Sequence, residues 1–174
     1  MKSTTWNPVI AVSMLLVLAF ACANLFSAAS RVKAANSSGL AARRDKARRL
    51  EGTWSVEVTI RDCETDAALK TFPAFLTFAQ GGTLVETTTG FPPSLRSPGH
   101  GFWQQTGGNT FTAVSEAFLF NPSGVWTGTQ RLTQSIKIGN DPDELSSNAT
   151  NEIFDPNGNL ITSGCATAVA HRAE

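Results

Sequence analysis

From Glu51 onward, apolar and polar positions alternate with a period of two, the pattern of strands that bury one face. In the first run Trp54, Val56, Val58 and Ile60 share a side, while Thr53, Ser55, Glu57, Thr59 and Arg61 share the other. A second run, 69–79, places Phe72, Ala74, Leu76 and Phe78 together. Gly81-Gly82 is a hairpin signal, and 83–89 reads as a third strand, rich in Thr. The segment 90–99 (GFPPSLRSPG), with three prolines, reads as a loop. It leads to a short fourth strand, 101–106 (GFWQQT), and Gly107-Gly108-Asn109 closes that run before a fifth strand, 110–120, apolar on both faces. A sixth strand, 125–138, aligns Trp126, Gly128, Gln130, Leu132, Gln134, Ile136 and Ile138. A seventh, 144–154, aligns Leu145, Ser147, Ala149, Asn151 and Ile153, and 159–171 is the eighth. Turn sequences rich in Asn, Pro, Asp and Gly separate these last runs.

Eight consecutive strands joined by turns predict an all-β fold: a closed eight-stranded antiparallel up-and-down barrel over 51–174. Closure removes the exposed strand edges that invite aggregation. A two-sheet sandwich is the alternative architecture. Ahead of the barrel, 1–34 reads as a signal peptide. Lys2 is followed by an uncharged apolar run, 9–26, and Val32-Lys33-Ala34 offers a small-x-Ala cleavage pattern. A retained membrane anchor and lipid attachment at Cys22 are the competing readings of this segment. The stretch 35–50 is a small polar linker followed by a short basic helix (LAARRDKARRL).

Charge changes the picture once it is divided along the chain. The whole has 14 Lys+Arg and 14 Asp+Glu. From Glu51 on there are 6 basic and 13 acidic residues, so the barrel stands at −7. Five basic residues, Arg43, Arg44, Lys46, Arg48 and Arg49, lie in the neck. An acidic body argues against nucleic acid as a partner. The neck reads as a solvated helix pairing with that body, or else as a contact for anionic lipid or nucleic acid. Signal cleavage leaves no stable membrane span and implies a secreted or periplasmic protein.

Cleavage also removes Cys22 and leaves Cys63 and Cys165. In an oxidising compartment such a pair reads as a disulfide; two buried free thiols are the other reading. A closed barrel sets its last strand antiparallel beside its first. That brings Cys63, just beyond the first strand, towards Cys165 near the start of the eighth, and strand parity turns both outward.

Gly52-Thr53-Trp54 opens the first strand just after a short helix. In this it resembles the Gly-x-Trp signature of the lipocalin and fatty-acid-binding (calycin) superfamily, whose Trp plugs the barrel base. The body, 40–174, also resembles small secreted bacterial proteins with lipocalin-like or allene-oxide-cyclase-like barrels. Arg172 lies where a lipocalin has the Arg that packs over this Trp. The chain has no Thr-Asp-Tyr type second lipocalin motif and no Arg-x-Tyr pair of the carboxylate-binding kind.

Few residues suggest chemistry. His100 reads as a turn-edge surface histidine, and His171 shares the outward parity of Cys165. Glu86 and Glu116 are the acids placed within strands; each reads as a solvated outward side chain, or alternatively as a lumenal acid or base. No nucleophilic triad, phosphate loop or metal-ligand spacing stands out, so no catalytic residue, metal or cofactor is expected. The bulky residues Trp54, Phe72, Phe78, Phe102 and Trp126, with Gln130, Leu132, Gln134 and Asn151, form the candidate ligand-binding set. Apolar walls carrying a few fixed amides suit a small molecule. The leading expectation is a non-catalytic binder of a small apolar or amphipathic ligand. A barrel enzyme of cyclase or isomerase type and a filled structural or interaction barrel are the alternatives. A lumenal Glu86 or Glu116 beside a second polar group would favour the enzyme.

Overall fold

The computed structural model describes residues 49–173. The signal segment 1–34 and nearly all of the neck helix lie outside the described residues; Arg49 and Leu50 form a turn. The rest is eight antiparallel strands: β1 (Gly52–Arg61), β2 (Ala68–Phe78), β3 (Thr83–Thr88), β4 (Gly99–Gly107), β5 (Thr110–Phe120), β6 (Trp126–Ile138), β7 (Glu144–Phe154) and β8 (Leu160–Arg172). Each pairs with the next in sequence, and β8 pairs with β1, so the sheet is a closed barrel. No helix among the described residues is long and apolar enough to cross a membrane.

The seam is set by register. Trp54 opposes Arg172 at one end of the β1–β8 ladder, and Arg61 opposes Cys165 at the other. Cys63, just past β1, is disulfide-bonded to Cys165 with Cα atoms 5.3 Å apart. The bond joins residues separated by 102 positions.

The period-two faces explain the interior. Trp54 and Val56 on β1, Leu76 and Phe78 on β2, Leu84 on β3, and Ile136 and Ile138 on β6 turn inward and are buried. Together with Leu50, Phe111 and Leu145 they plug one end of the barrel, where Trp54 is fully buried. Its indole N–H donates to the Leu50 carbonyl at 2.9 Å, so burial leaves no polar group unpaired. The Arg172 guanidinium lies 4.4 Å from the Trp54 ring centroid and donates to the carbonyls of Glu51 and Arg49 at 2.7 and 2.9 Å.

Two aromatic placements correct the sequence reading. Phe102 points outward and is 58% exposed, while its neighbour Trp103 takes the inward position. Trp103 packs edge-on against Phe78 and Phe111, and its N–H reaches the carbonyls of Ala79 and Thr83, both at 3.1 Å. Those carbonyls give the buried indole N–H the acceptors it needs. Trp126 is also outside, 44% exposed. Leu119 pairs with Gly128, but Phe120 pairs with Trp126. Thr127 is thus an extra residue, a β-bulge that reverses parity and turns Trp126 out.

Candidate functional site

Beyond the plug, the half of the barrel away from Trp54 encloses a cavity of about 320 Å³. That is at the lower end of the range used for small ligands. Its two walls differ in chemistry. Strands β1, β2 and β8 contribute Val56, Val58, Ile60, Phe72, Ala74, Leu76, Ala166 and Ala168, a mainly apolar wall that also includes Thr167. Strands β3, β6 and β7 contribute Glu86, Thr88, Gln130, Gln134, Ser147 and Asn151, with Leu132 and Ala149 between them. Alanines on β7 and β8 leave space where larger inward residues would fill the lumen. Lys70, Gly90 and Phe91 border the cavity; Lys70 is exposed, 5.7 Å from the Phe72 centroid.

At the centre of the polar wall lies a buried ion pair. Arg96 donates through Nη2 to Glu86 Oε1 and through Nε to Gln130 Oε1, and its Nη1 reaches the Ser97 carbonyl at 3.1 Å. Gln130 Nε2 in turn donates to Asn151 Oδ1 at 2.7 Å. The two charged side chains are only 3% and 5% exposed. Such a pair stands only when its hydrogen bonds are met, and removing one partner commonly costs about 3–5 kcal/mol.

Arg96 belongs to the 90–99 segment that reads as a loop. There Ser97 N donates to the Phe118 carbonyl, Phe120 N donates to the Leu95 carbonyl, and Arg96 forms a single antiparallel bridge with Leu119. The segment behaves locally as one step of strand beside β5, and the middle residue of that step points inward. Gly99 makes room for the pair, since a Cβ there would come within 2.0 Å of Glu86 Oε1.

Of the residues singled out from sequence, Phe72, Gln130, Leu132, Gln134 and Asn151 line the cavity. Trp54 and Phe78 lie in the plug, whereas Phe102 and Trp126 are outside the barrel. Glu86 is lumenal and not the solvated outward side chain its strand position suggests; Glu116 is outside, paired with Arg131 at 2.8 Å. His171 is outside as well, 3.7 Å from Glu144, and His100 is exposed on β4. Arg96 carried no signal in the period-two pattern, because prolines at 92, 93 and 98 hide its strand-like step. Among the described residues, no three His, Cys, Asp or Glu side chains gather as a metal site needs.

No protein-family model matches the sequence, and no curated protein is significantly similar to it. Among solved structures, the chain is similar to the crystal structure of Rv2717c from M. tuberculosis at 16% identity. The match covers 72% of this chain and 94% of that one, with a TM-score of 0.36.

Proposed function

We propose that the chain is an exported, lipocalin-like barrel that binds a small apolar or amphipathic molecule in its lumen and performs no reaction on it. The observation that carries this reading is the two-walled cavity, mainly apolar on one side and set with fixed amides and hydroxyls on the other. Arg172 stacked over the Trp54 of Gly52-Thr53-Trp54 supports the lipocalin-like relation. The Cys63–Cys165 bond supports an oxidising compartment, secreted or periplasmic. The volume of the cavity counts against a filled structural barrel.

Native mass spectrometry of protein from its own host is expected to show a co-purifying small molecule. The uncharged fluorophore N-phenyl-1-naphthylamine should bind the purified protein, and Ala149→Phe, which fills the lumen, should abolish that binding. Equal binding by the filled variant would refute the lumenal site. A cyclase- or isomerase-type enzyme acting on a small hydrophobic substrate is favoured by one observation, the Glu86 carboxylate bordering the cavity beside Arg96. That reading expects a substrate–product pair to co-purify and Glu86→Gln to stop their interconversion, whereas a binder returns its ligand unchanged.

A further inference from the structure

We infer that the lumen selects uncharged over anionic amphiphiles, and that Glu86 sets this selection by neutralising Arg96. The inference rests on the ligand-binding reading above. A guanidinium in a ligand cavity ordinarily anchors the ligand's own carboxylate. Here the chain supplies that carboxylate itself. All three guanidinium nitrogens of Arg96 are engaged, with Glu86, Gln130 and the Ser97 carbonyl. The pair is buried and its net charge is zero.

An anionic headgroup entering this lumen brings a second negative charge near Glu86, in surroundings that screen poorly. Among the described residues, the other cation bordering the cavity is Lys70. It is exposed at the edge, 3.5 Å from the Gly90 carbonyl, where solvent and salt screen it. A hydroxyl, carbonyl or amide headgroup meets no such opposition, and Gln134, Ser147 and Asn151 offer it hydrogen bonds. The placement of Glu86 is built into the backbone, because Gly99 leaves the space its carboxylate occupies.

The test is displacement of N-phenyl-1-naphthylamine from the purified full chain, disulfide intact, by decanol and by decanoate. Mildly alkaline pH keeps decanoate ionised. Decanol should compete at a concentration at least about tenfold lower than decanoate. Glu86→Gln should raise decanoate affinity by about tenfold and leave decanol little changed. The double variant Glu86→Gln/Arg96→Met lacks both charges and should keep decanol binding without any gain for decanoate.

Decanoate competing as well as decanol in the unaltered protein overturns the inference. So does a gain for decanoate in the double variant as large as in the single one, since Arg96 is then not the counter-charge. If Glu86→Gln leaves Arg96 unpaired and fails to fold, the unaltered protein and the double variant still decide. Failure of both the fluorophore and decanol to bind the unaltered protein would instead remove the lumenal binding reading itself.

Discussion

Ser115, on β5, turns its hydroxyl into the barrel interior opposite Leu132. Its Oγ is buried and has no hydrogen-bond partner among the described residues. An unpaired buried hydroxyl carries its full desolvation penalty, so Ser115→Ala should raise stability by about 1 kcal/mol. The urea midpoint measures it, and a lower midpoint would mean that the hydroxyl is satisfied after all. At this same scale the sequence is least legible. In Gly101-Phe102-Trp103-Gln104 the alternation says that one aromatic faces in, and it does not say which. The choice falls to Trp103, whose N–H meets two carbonyls bordering the β2–β3 turn. Glu86 was equally opaque, because its counter-charge comes from a proline-flanked step ten residues further on.

Elements are more legible in the sequence than single side chains. The strands 110–120 and 144–154 coincide with β5 and β7, because long alternating runs bounded by turn residues leave little freedom in placing their ends. Where the alternation is broken by one extra residue, the reading fails, as at the β6 bulge. Gly128 follows that bulge with φ +149, and a Cβ there would approach the Phe154 carbonyl oxygen to 2.0 Å. Gly128→Ala should therefore cost roughly 3 kcal/mol or more, measured by chemical denaturation, by straining the backbone and parting β6 from β7. A variant with unchanged stability would show that the bulge relaxes freely.

The turns carry a pH signature. Hydrogen bonds from the Asn159 side chain and backbone hold the Asp155 carboxyl below its ordinary value. Those from the Thr65 backbone and side chain, with the Glu64 backbone, do the same for Asp62. A depressed folded value stabilises the fold above the unfolded value of 3.8, and that stability is lost as pH falls through the lower folded value. Both groups sit half-buried in surface turns where solvent screens them, so the effect is small. Asp155→Asn should flatten the fall in thermal midpoint below that pH; an unchanged profile would place the acid sensitivity elsewhere.

For the whole molecule, closure is the organising fact. Eight strands with β8 returned to β1 leave no free edge, and the disulfide fixes that last ladder covalently. Constraining so long a loop in the unfolded chain typically contributes roughly 2–4 kcal/mol. Cys63→Ser/Cys165→Ser should lose about that much in guanidinium unfolding and still bind N-phenyl-1-naphthylamine, because neither cysteine borders the cavity. Loss of binding in a folded double variant would tie the seam to the lumen. The seam was legible from sequence because it needs only a strand count, a parity and two cysteines. The polar wall was legible in part, through Gln130, Gln134 and Asn151, and its charged centre was not.

The contacts of Arg172 with the Arg49 and Glu51 carbonyls, and of Ala173 N with the Thr53 carbonyl, hold the two ends of the domain side by side at the plugged base. The order of strands along the chain is then only one of several that wind the same ring. A circular permutant spliced across this base, with its new start in the exposed turn around Asn157, should keep every ladder, the lumen and the pairing of its cysteines, and loss of fluorophore binding in a folded permutant would refute this.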